Sequence, residues 1–497
     1  MCMNRKALTR TESILAVLLV VAIIAGAVGW TQPGQRIVET VTSTVTVGGS
    51  AQTITTTRVV TSTVTVERPI SPGAIKIAVV SDIGGRGDLS FNDMAFKGGD
   101  EAEKDLGVQM VELISKTEAD YVPNLETAAR DPDVKLIVGV GFLLSEALLE
   151  VAAKYPDKNF AGIDTFTQAL AVQKTGKPLP NMLDIVYEEH KGSAMVGALG
   201  CLLAAHYNEL GGNYPYIGGV FGIEIPVLWK FEIGYKWGCD WGLKWYEQRF
   251  GKRAPLIGED GRYGSGPNWR DGLYCPQAGQ CWYKGRVLWT YTGTFSDITK
   301  GYAAAKSMYE QQAIAVYNIA GPLGLGINQA VQEIATEKRL TSGPPYWIGV
   351  DANQDWINPG FVIASMMKRV DRGVYYAALL TVIGKFKEVV ADTNGVLVLG
   401  IGTKVGNLAM EGISVSTLAD LDEFIKMGVD AEKLTGKKVL PMSPEEIRQK
   451  VTEMRQNLPS WIWDALTELE SKIRSGQAQV PMVLTKEEVD RWRELLG

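Results

Sequence analysis

The side chains best suited to holding a small molecule stand just after short apolar runs. Asp82, Asp88 and Asn92 belong to a Gly-rich segment, Ser81-Asp-Ile-Gly-Gly-Arg-Gly-Asp-Leu-Ser-Phe-Asn92, that follows a β-rich run at 75–80 and opens onto a helix. Other such runs end in Gly139-Val-Gly-Phe142, Ile163-Asp164, Ala320-Gly321-Pro322 and Val350-Asp351. A carboxylate accepts two hydrogen bonds and so suits a vicinal diol. For each isolated aspartate a helix N-cap is the alternative, and the sequence leaves it open. A phosphate cradle is a further reading of 81–92, but the spacing is not G-x-G-x-x-G and no Gly-Lys-Ser/Thr follows. Acidic Asp82 and Asp88 would also repel phosphate, so a neutral polar ligand fits better. With His190 and His206 the only two imidazoles, a zinc site or a Ser-His-Asp triad has almost no parts to draw on. No catalytic residue, metal or cofactor is expected.

The runs that must position these groups alternate in kind. Residues 75–80, 136–140, 160–163, 216–220, 313–317 and 346–350 read as strands, and 145–153, 192–205 and 299–311 as amphipathic helices. Repeated β-α order implies parallel sheets covered by helices on both faces. Some 350 of the 497 residues carry this pattern, too many for one ordinary sheet, so an α/β fold of two doubly wound lobes is expected. Ligands then bind at the carboxyl ends of the strands, where the aspartates stand. A formal charge of -6 with no Lys/Arg block lacks the footprint of nucleic-acid binding.

The first 73 residues differ in composition. After Arg5, Lys6 and Arg10, residues 14–30 carry no charge, roughly 25 Å of helix at about 1.5 Å per residue, enough to cross a bilayer. The preceding positive charges keep the start cytoplasmic and put the body outside. No Cys closes the apolar run, which speaks against a bacterial lipoprotein anchor. Lys6-Ala7-Leu8-Thr9 with Glu12 resembles the pilin-like signal of several archaeal surface binding proteins, which implies processing between Ala7 and Leu8. An uncleaved signal anchor is the alternative. Between Val38 and Glu67, 14 of 30 residues are Ser or Thr, and Val41-Thr-Ser-Thr-Val-Thr-Val47 recurs as Val60 to Val66. This reads as an extended stalk, possible sites of O-glycosylation included, with a Thr/Val hairpin packed on the body as the alternative. No Asn-x-Ser/Thr sequon occurs.

An ordered set of motifs resembles the basic membrane protein family, the purine-nucleoside receptors of ABC importers. These are Asp88-Leu-Ser-Phe-Asn92, Val138-Gly-Val-Gly-Phe142, Gly222-Ile-Glu-Ile-Pro-Val227 with Phe231-Glu-Ile-Gly-Tyr235, Tyr291-Thr-Gly-Thr-Phe-Ser-Asp297 with Lys300-Gly301, Gly349-Val-Asp351, and Ser365-Met-Met-Lys-Arg-Val-Asp371. The resemblance runs from about 74 to 415 and again at 469 to 481. It implies a type I periplasmic-binding-protein fold with two lobes joined by a hinge, a purine nucleoside as ligand, ABC permease subunits as partners and no enzymatic activity. It further implies that Asn92 and Asp82 read the base, that Phe231 with Phe96 or Phe142 sandwiches it, and that Asp351 and Lys368 hold the ribose. Asp164 and Gly321 complete the expected ligand-binding set. For Phe96 and Phe231 the alternative is core packing, and for Lys368 a surface pair with Asp371. The implied division is an anchor helix at 1–30, a stalk at 31–73, a first lobe at 74–186 plus about 352–395, a second at 187–351 plus about 396–440, and a helical extension at 441–497. The protein is thus expected at the cell membrane, held by a single-pass anchor with its body on the extracellular side.

Departures from the family pattern accompany the resemblance. Gly321-Pro-Leu-Gly324 replaces Gly-Gly-Thr-Gly, which removes a backbone N–H at 322. Glu224 stands where Asp often precedes Ile-Pro, and Asn353 replaces a second acid. An apparent insertion at about 249–286 carries Tyr263, Trp269, Tyr274, Cys275, Cys281, Trp282 and Tyr283. It reads as a lid, a sugar-binding surface or a packing patch. Cys275 and Cys281 are the disulfide candidates, Cys239 leaves the pairing ambiguous, and Cys201 reads as a buried thiol. Ser443-Pro-Glu-Glu446 starts a helix by cap chemistry, and Trp461, Trp463, Leu466 and Leu469 form a stripe that should dock on the body. Two other functions fit the same fold: a surface-assembly subunit, or a receptor for a different small polar ligand. A nucleoside hydrolase lacks a nucleophile or poised base.

Overall fold

The structure, a computed structural model, describes residues 38–47, 50–59, 75–255, 267–405, 408–436 and 438–497. The expected anchor over 14–30 lies outside the described residues. Among those described, no helix is long and apolar enough to cross a membrane.

Two six-stranded sheets carry the body. In the first the order is Val396–Leu399, Met182–Tyr187, Asn159–Ile163, Val134–Val140, Lys76–Ser81, Gln109–Ile114, all parallel. The second runs Val287–Tyr291, Tyr216–Phe221, Ala313–Ile319, Tyr346–Asp351, Val362–Lys368, Ile413–Val415, with only the last pair antiparallel. Strands such as Ala313–Ile319 are buried on both faces, which is why they read as unbroken apolar runs. Chain order reverses beside Lys76–Ser81 in one sheet and Tyr216–Phe221 in the other. Crevices at such reversals are where open α/β sheets bind ligands.

Two expected boundaries are corrected by the pairing. Val362–Lys368, expected in the first lobe, pairs with Tyr346–Asp351 in the second sheet, and Val396–Leu399, expected in the second, pairs with Met182–Tyr187 in the first. Both are short apolar strands beside a crossing, and periodicity does not tell which sheet offers the open edge. The chain therefore passes between lobes three times, between Tyr187 and Glu189, between Lys368 and Val370, and between Leu399 and Ile413. Backbone hydrogen bonds bundle the crossings: Glu188 N to Leu399 O at 2.9 Å, Arg369 N to Gly412 O at 2.9 Å and Gly412 N to Gly400 O at 3.0 Å.

Helices close both lobes. In the second, Glu189–Glu209 and Pro226–Phe250 approach so closely that a Cβ on Gly238 would fall 1.9 Å from Ala194 O, and one on Gly234 2.3 Å from His190 O. A Cys201–Cys239 disulfide joins these two helices. Cys201 is therefore not the buried thiol expected; the glycine contacts bring the helices near enough for it to reach the third candidate cysteine. Cys275 and Cys281 form the other disulfide, as expected. They lie in a three-stranded antiparallel sheet of Trp269–Arg270, Leu273–Gln277 and Gln280–Trp282. That sheet packs on the second lobe through Tyr283, whose N–H donates to Asp240 Oδ1 at 2.8 Å.

Beyond the lobes, Ser443 caps Pro444–Gln456 in the capping box expected of Ser-Pro-Glu-Glu. Ser460–Arg474 buries Leu466 and Leu469 and stacks Trp461 on Trp245, 6.2 Å between ring centroids. In Lys486–Leu496, Arg493 reaches the buried Glu232 at 2.7 Å. Over 38–59 the stalk reading gives way to a hairpin, Val38–Val47 paired antiparallel with Ser50–Val59 and joined to neither body sheet. Alternating Thr and Val favour a strand, and Gly48-Gly49 between the arms is a composition that tight hairpin turns favour.

Candidate ligand-binding cleft

The carboxyl ends of both sheets face each other across a cavity with about 680 Å³ of space, mouth included, within the usual range of small-molecule sites. The first lobe contributes Asp82, Asn92, Gly141, Phe142 and Asp164, and the second Phe231, Gly321, Asp351 and Lys368. Of the nine expected ligand-binding residues, eight, drawn from segments scattered over the chain from 82 to 368, line this one cavity, and Phe96 does not.

Asp164 and Asp351 end their strands in left-handed backbone, φ 58° and 64°, a conformation Asp tolerates better than most residues. Neither caps a helix. The turn instead aims each carboxylate into the cleft, where Asp351 Oδ2 accepts from Ser90 Oγ at 3.0 Å across the lobes. Lys368 Nζ pairs with Asp164 and lies 2.8 Å from Glu189 Oε1, so the surface pair with Asp371 does not form. Asp371 is taken by Lys97 and Arg369. Rings of Phe91 and Phe231 stand 5.2 and 5.5 Å from Lys368 Nζ. Burial pushes Asp164 up to about 7 in spite of Lys368, and pushes Asp351 up to about 6. Burial likewise raises Asp82, against the N–H of Gly84 and the amide of Asn92.

For Asp88 the capping alternative holds. Its Oδ1 accepts from Ser90 N and Asp93 N at 2.9 and 3.1 Å, and its Oδ2 from Asn92 N and Nδ2 at 2.9 and 3.1 Å. The carboxylate thereby starts the helix Phe91–Leu106 and fixes Asn92 at its mouth.

Phe96 is corrected. It is fully buried in the first-lobe core, with the Arg86 guanidinium 4.5 Å from its ring centroid. One helical turn beyond Asn92, it lies beneath the cavity rather than in its lining, which Phe91 and Asn92 reach. Phe91 takes its place, and Phe295, Ile225, Val227 and Leu228 add an apolar wall. All five lie within or beside motifs noted above, but nothing in their types marked them. Glu189, fully buried between Lys230 and Lys368, was also missed; its only signal is its position directly after a strand. No described residue of the 249–286 insertion lines the cavity. Elsewhere Glu101, Asp371 and Glu423 converge, but Lys97 Nζ fills the space among them at 2.6, 2.9 and 2.7 Å, leaving no cation vacancy there.

Two sheet lobes bundled at three crossings, with a ligand-sized cavity between their strand ends, define a two-lobed α/β binding protein. The chain belongs to the Bmp family, described as PnrA-like ABC transporter substrate-binding proteins, whose family model matches residues 75–240 and 284–413. The gap between the matched segments falls on the aromatic insertion. The family consists of solute-binding proteins and not enzymes. An uncharacterised lipoprotein of Pyrococcus abyssi is 35% identical over 84% of this chain and 86% of its own. An ABC transporter nucleoside-binding protein of Lactococcus lactis is 26% identical over 63% of this chain and 76% of its own. The crystal structure of an ABC transporter solute-binding protein from Aeropyrum pernix is similar at TM-score 0.66 and 29% identity, covering 84% of this chain and 96% of that one.

Proposed function

We propose that this chain is the extracellular, membrane-anchored receptor of an ABC importer and that a purine nucleoside is its ligand, delivered by the closed form to permease subunits. The observation that carries the reading is one cavity faced by aromatic rings, Phe142 and Phe231, and by strand-end carboxylates from both lobes. Stacking on a ring contributes about 1–3 kcal/mol with little dependence on the base, so the rings supply affinity. Asp351 and Lys368, with Asp164, hold the ribose, and Asp82 with Asn92 meets the base edge. The name of the Lactococcus lactis relative supports the ligand class. Relatives named as lipoproteins support a membrane tether. This chain has no Cys from position 3 to 200, so the uncharged segment at 14–30 serves as its tether in this reading, rather than a lipidated cysteine.

A different small polar ligand is the second reading, favoured by Pro322, which lines the cavity without an N–H to offer. Calorimetric titration with nucleosides, free bases and ribose tests both. Tight binding of nucleosides alone is the expected outcome, and no response to any nucleoside refutes the first reading.

A further inference from the structure

The first-lobe wall of the cleft is built of acceptors. Asn92 commits its amide hydrogens to carboxylates, Nδ2 donating to Asp82 Oδ1 at 2.8 Å and to Asp88 Oδ2 at 3.1 Å. This fixes the amide's orientation, since the reverse would set Oδ1 against two acceptors. Asn92 Oδ1 is buried and accepts from none of the described residues. Asp88 already receives four N–H bonds. Asp82 Oδ1 takes Gly84 N at 2.9 Å besides Asn92. None of the described residues donates to Asp82 Oδ2, and it lies against Gly141, where an added Cβ would come within 2.8 Å. Two open acceptors therefore stand on adjoining, hydrogen-bonded residues that both line the cavity.

Resting on the nucleoside reading, we infer that this acceptor pair, Asp82 Oδ2 and Asn92 Oδ1, selects a base edge with two adjacent donors and so makes the cleft prefer guanine over adenine. Guanine offers N1–H beside its 2-amino group. Hypoxanthine keeps N1–H alone. Adenine offers one amino group flanked by ring lone pairs, so satisfying one acceptor turns a lone pair towards the other. A site built to pair a donor discriminates strongly against an analogue lacking it, because its buried acceptor is then left unpaired. On the second-lobe side Ile225, Val227, Leu228 and Pro322 offer no side-chain donor, and Lys368 Nζ is taken by Asp164 and Glu189.

The test is calorimetry on the full chain in detergent, with guanosine, inosine, adenosine and 1-methylguanosine, which lacks N1–H. Guanosine is expected to bind at least about tenfold tighter than adenosine, with inosine between, and 1-methylguanosine to lose most of guanosine's advantage. Asp82→Asn supplies the complementary arm. Its Oδ1 keeps the bonds from Gly84 and Asn92, and its Nδ2 replaces the open oxygen with a donor that suits a ring lone pair. The guanosine-to-adenosine ratio should fall by at least about tenfold. Adenosine binding as tightly as guanosine, or 1-methylguanosine binding like guanosine, overturns the acceptor-pair assignment and leaves the receptor reading standing. Silence towards all four ligands overturns the nucleoside reading and this inference with it.

Discussion

Asp351→Asn isolates the part of the cleft assigned to the ribose. Alanine is the wrong probe, because the left-handed backbone at φ 64° costs a non-glycine residue about 1–2 kcal/mol unless, like Asn or Asp, it tolerates that region. Asparagine keeps the backbone, the shape and an acceptor for Ser90 Oγ. It replaces the remaining oxygen with an amide N–H, a donor where the ribose hydroxyl had a charged acceptor. A hydrogen bond to a charged group contributes about 1.5–3 kcal/mol, and the amide N–H recovers about 1 by donating to the hydroxyl oxygen instead, so the loss should be about 0.5–2 kcal/mol, or about 2- to 30-fold in Kd. The measurement is calorimetry at pH 8, above the value of about 6 to which burial raises this carboxyl, so that the wild-type group is charged. Guanosine is compared with its 2′-deoxy and 3′-deoxy analogues. The variant should weaken guanosine and barely touch whichever analogue lacks the hydroxyl that Asp351 holds, a coupling of about 0.5 kcal/mol or more. Equal weakening of all three, or unchanged guanosine affinity, refutes the ribose assignment.

Other expectations concern stability and packing. Asp88, Asp164 and Asp351 are raised by burial to about 8, 7 and 6, so each contributes stability at low pH that is lost as pH rises through its folded value. Buried His190, pushed down to about 3, acts in the opposite sense once the unfolded state takes up a proton below about 6.5. Thermal midpoints should therefore rise from pH 8.5 to about 6.5, and from there towards about pH 4 His190 offsets one of the three carboxyls without cancelling the rise; a steady fall over the first range contradicts the assignment. Cys201→Ala with Cys239→Ala opens a cross-link spanning 38 residues, and denaturant unfolding should show a loss of about 3–4 kcal/mol on the chain-entropy estimate. A loss below about 1 kcal/mol counts against it. Phe231→Leu should weaken nucleosides by about 1–3 kcal/mol, whereas Phe96→Leu should lower the melting temperature and leave Kd unchanged; a Kd effect at Phe96 reverses the correction made above.

The strands that the sequence disclosed best are those buried on both faces, such as Ala313–Ile319, where nothing interrupts the apolar run. Gln109–Ile114 went unread because it is an edge strand with exposed and half-buried positions throughout, and Met182–Tyr187 because Asp184 interrupts it. That buried aspartate accepts from Gln168 N at 2.7 Å, a partner 16 residues away that no local pattern could supply. Site residues were legible where an unusual type met a strand end, as at Asp164 and Asp351. Phe96 misled because it follows Asn92 by one helical turn, yet that turn lies deeper in the lobe, where its ring is sealed in the core, while Phe91 at the mouth of the helix lines the cavity. The Cys201–Cys239 link depended on glycines at 234 and 238 letting two backbones approach, a tertiary fact with no signature at either cysteine.

Glu188, Arg369, Gly400 and Gly412, whose backbones bundle the crossings, do not themselves line the cavity, though Lys368 beside Arg369 does. Apparent affinity is intrinsic affinity scaled by the population competent to bind. Substitutions within the bundle that shift the balance between open and closed forms would thus multiply the Kd of every ligand by one common factor and leave their ranking intact. Sensitivity and selectivity are written in separate residues, so a lineage facing scarcer nutrients could lower its detection threshold without relearning what it imports.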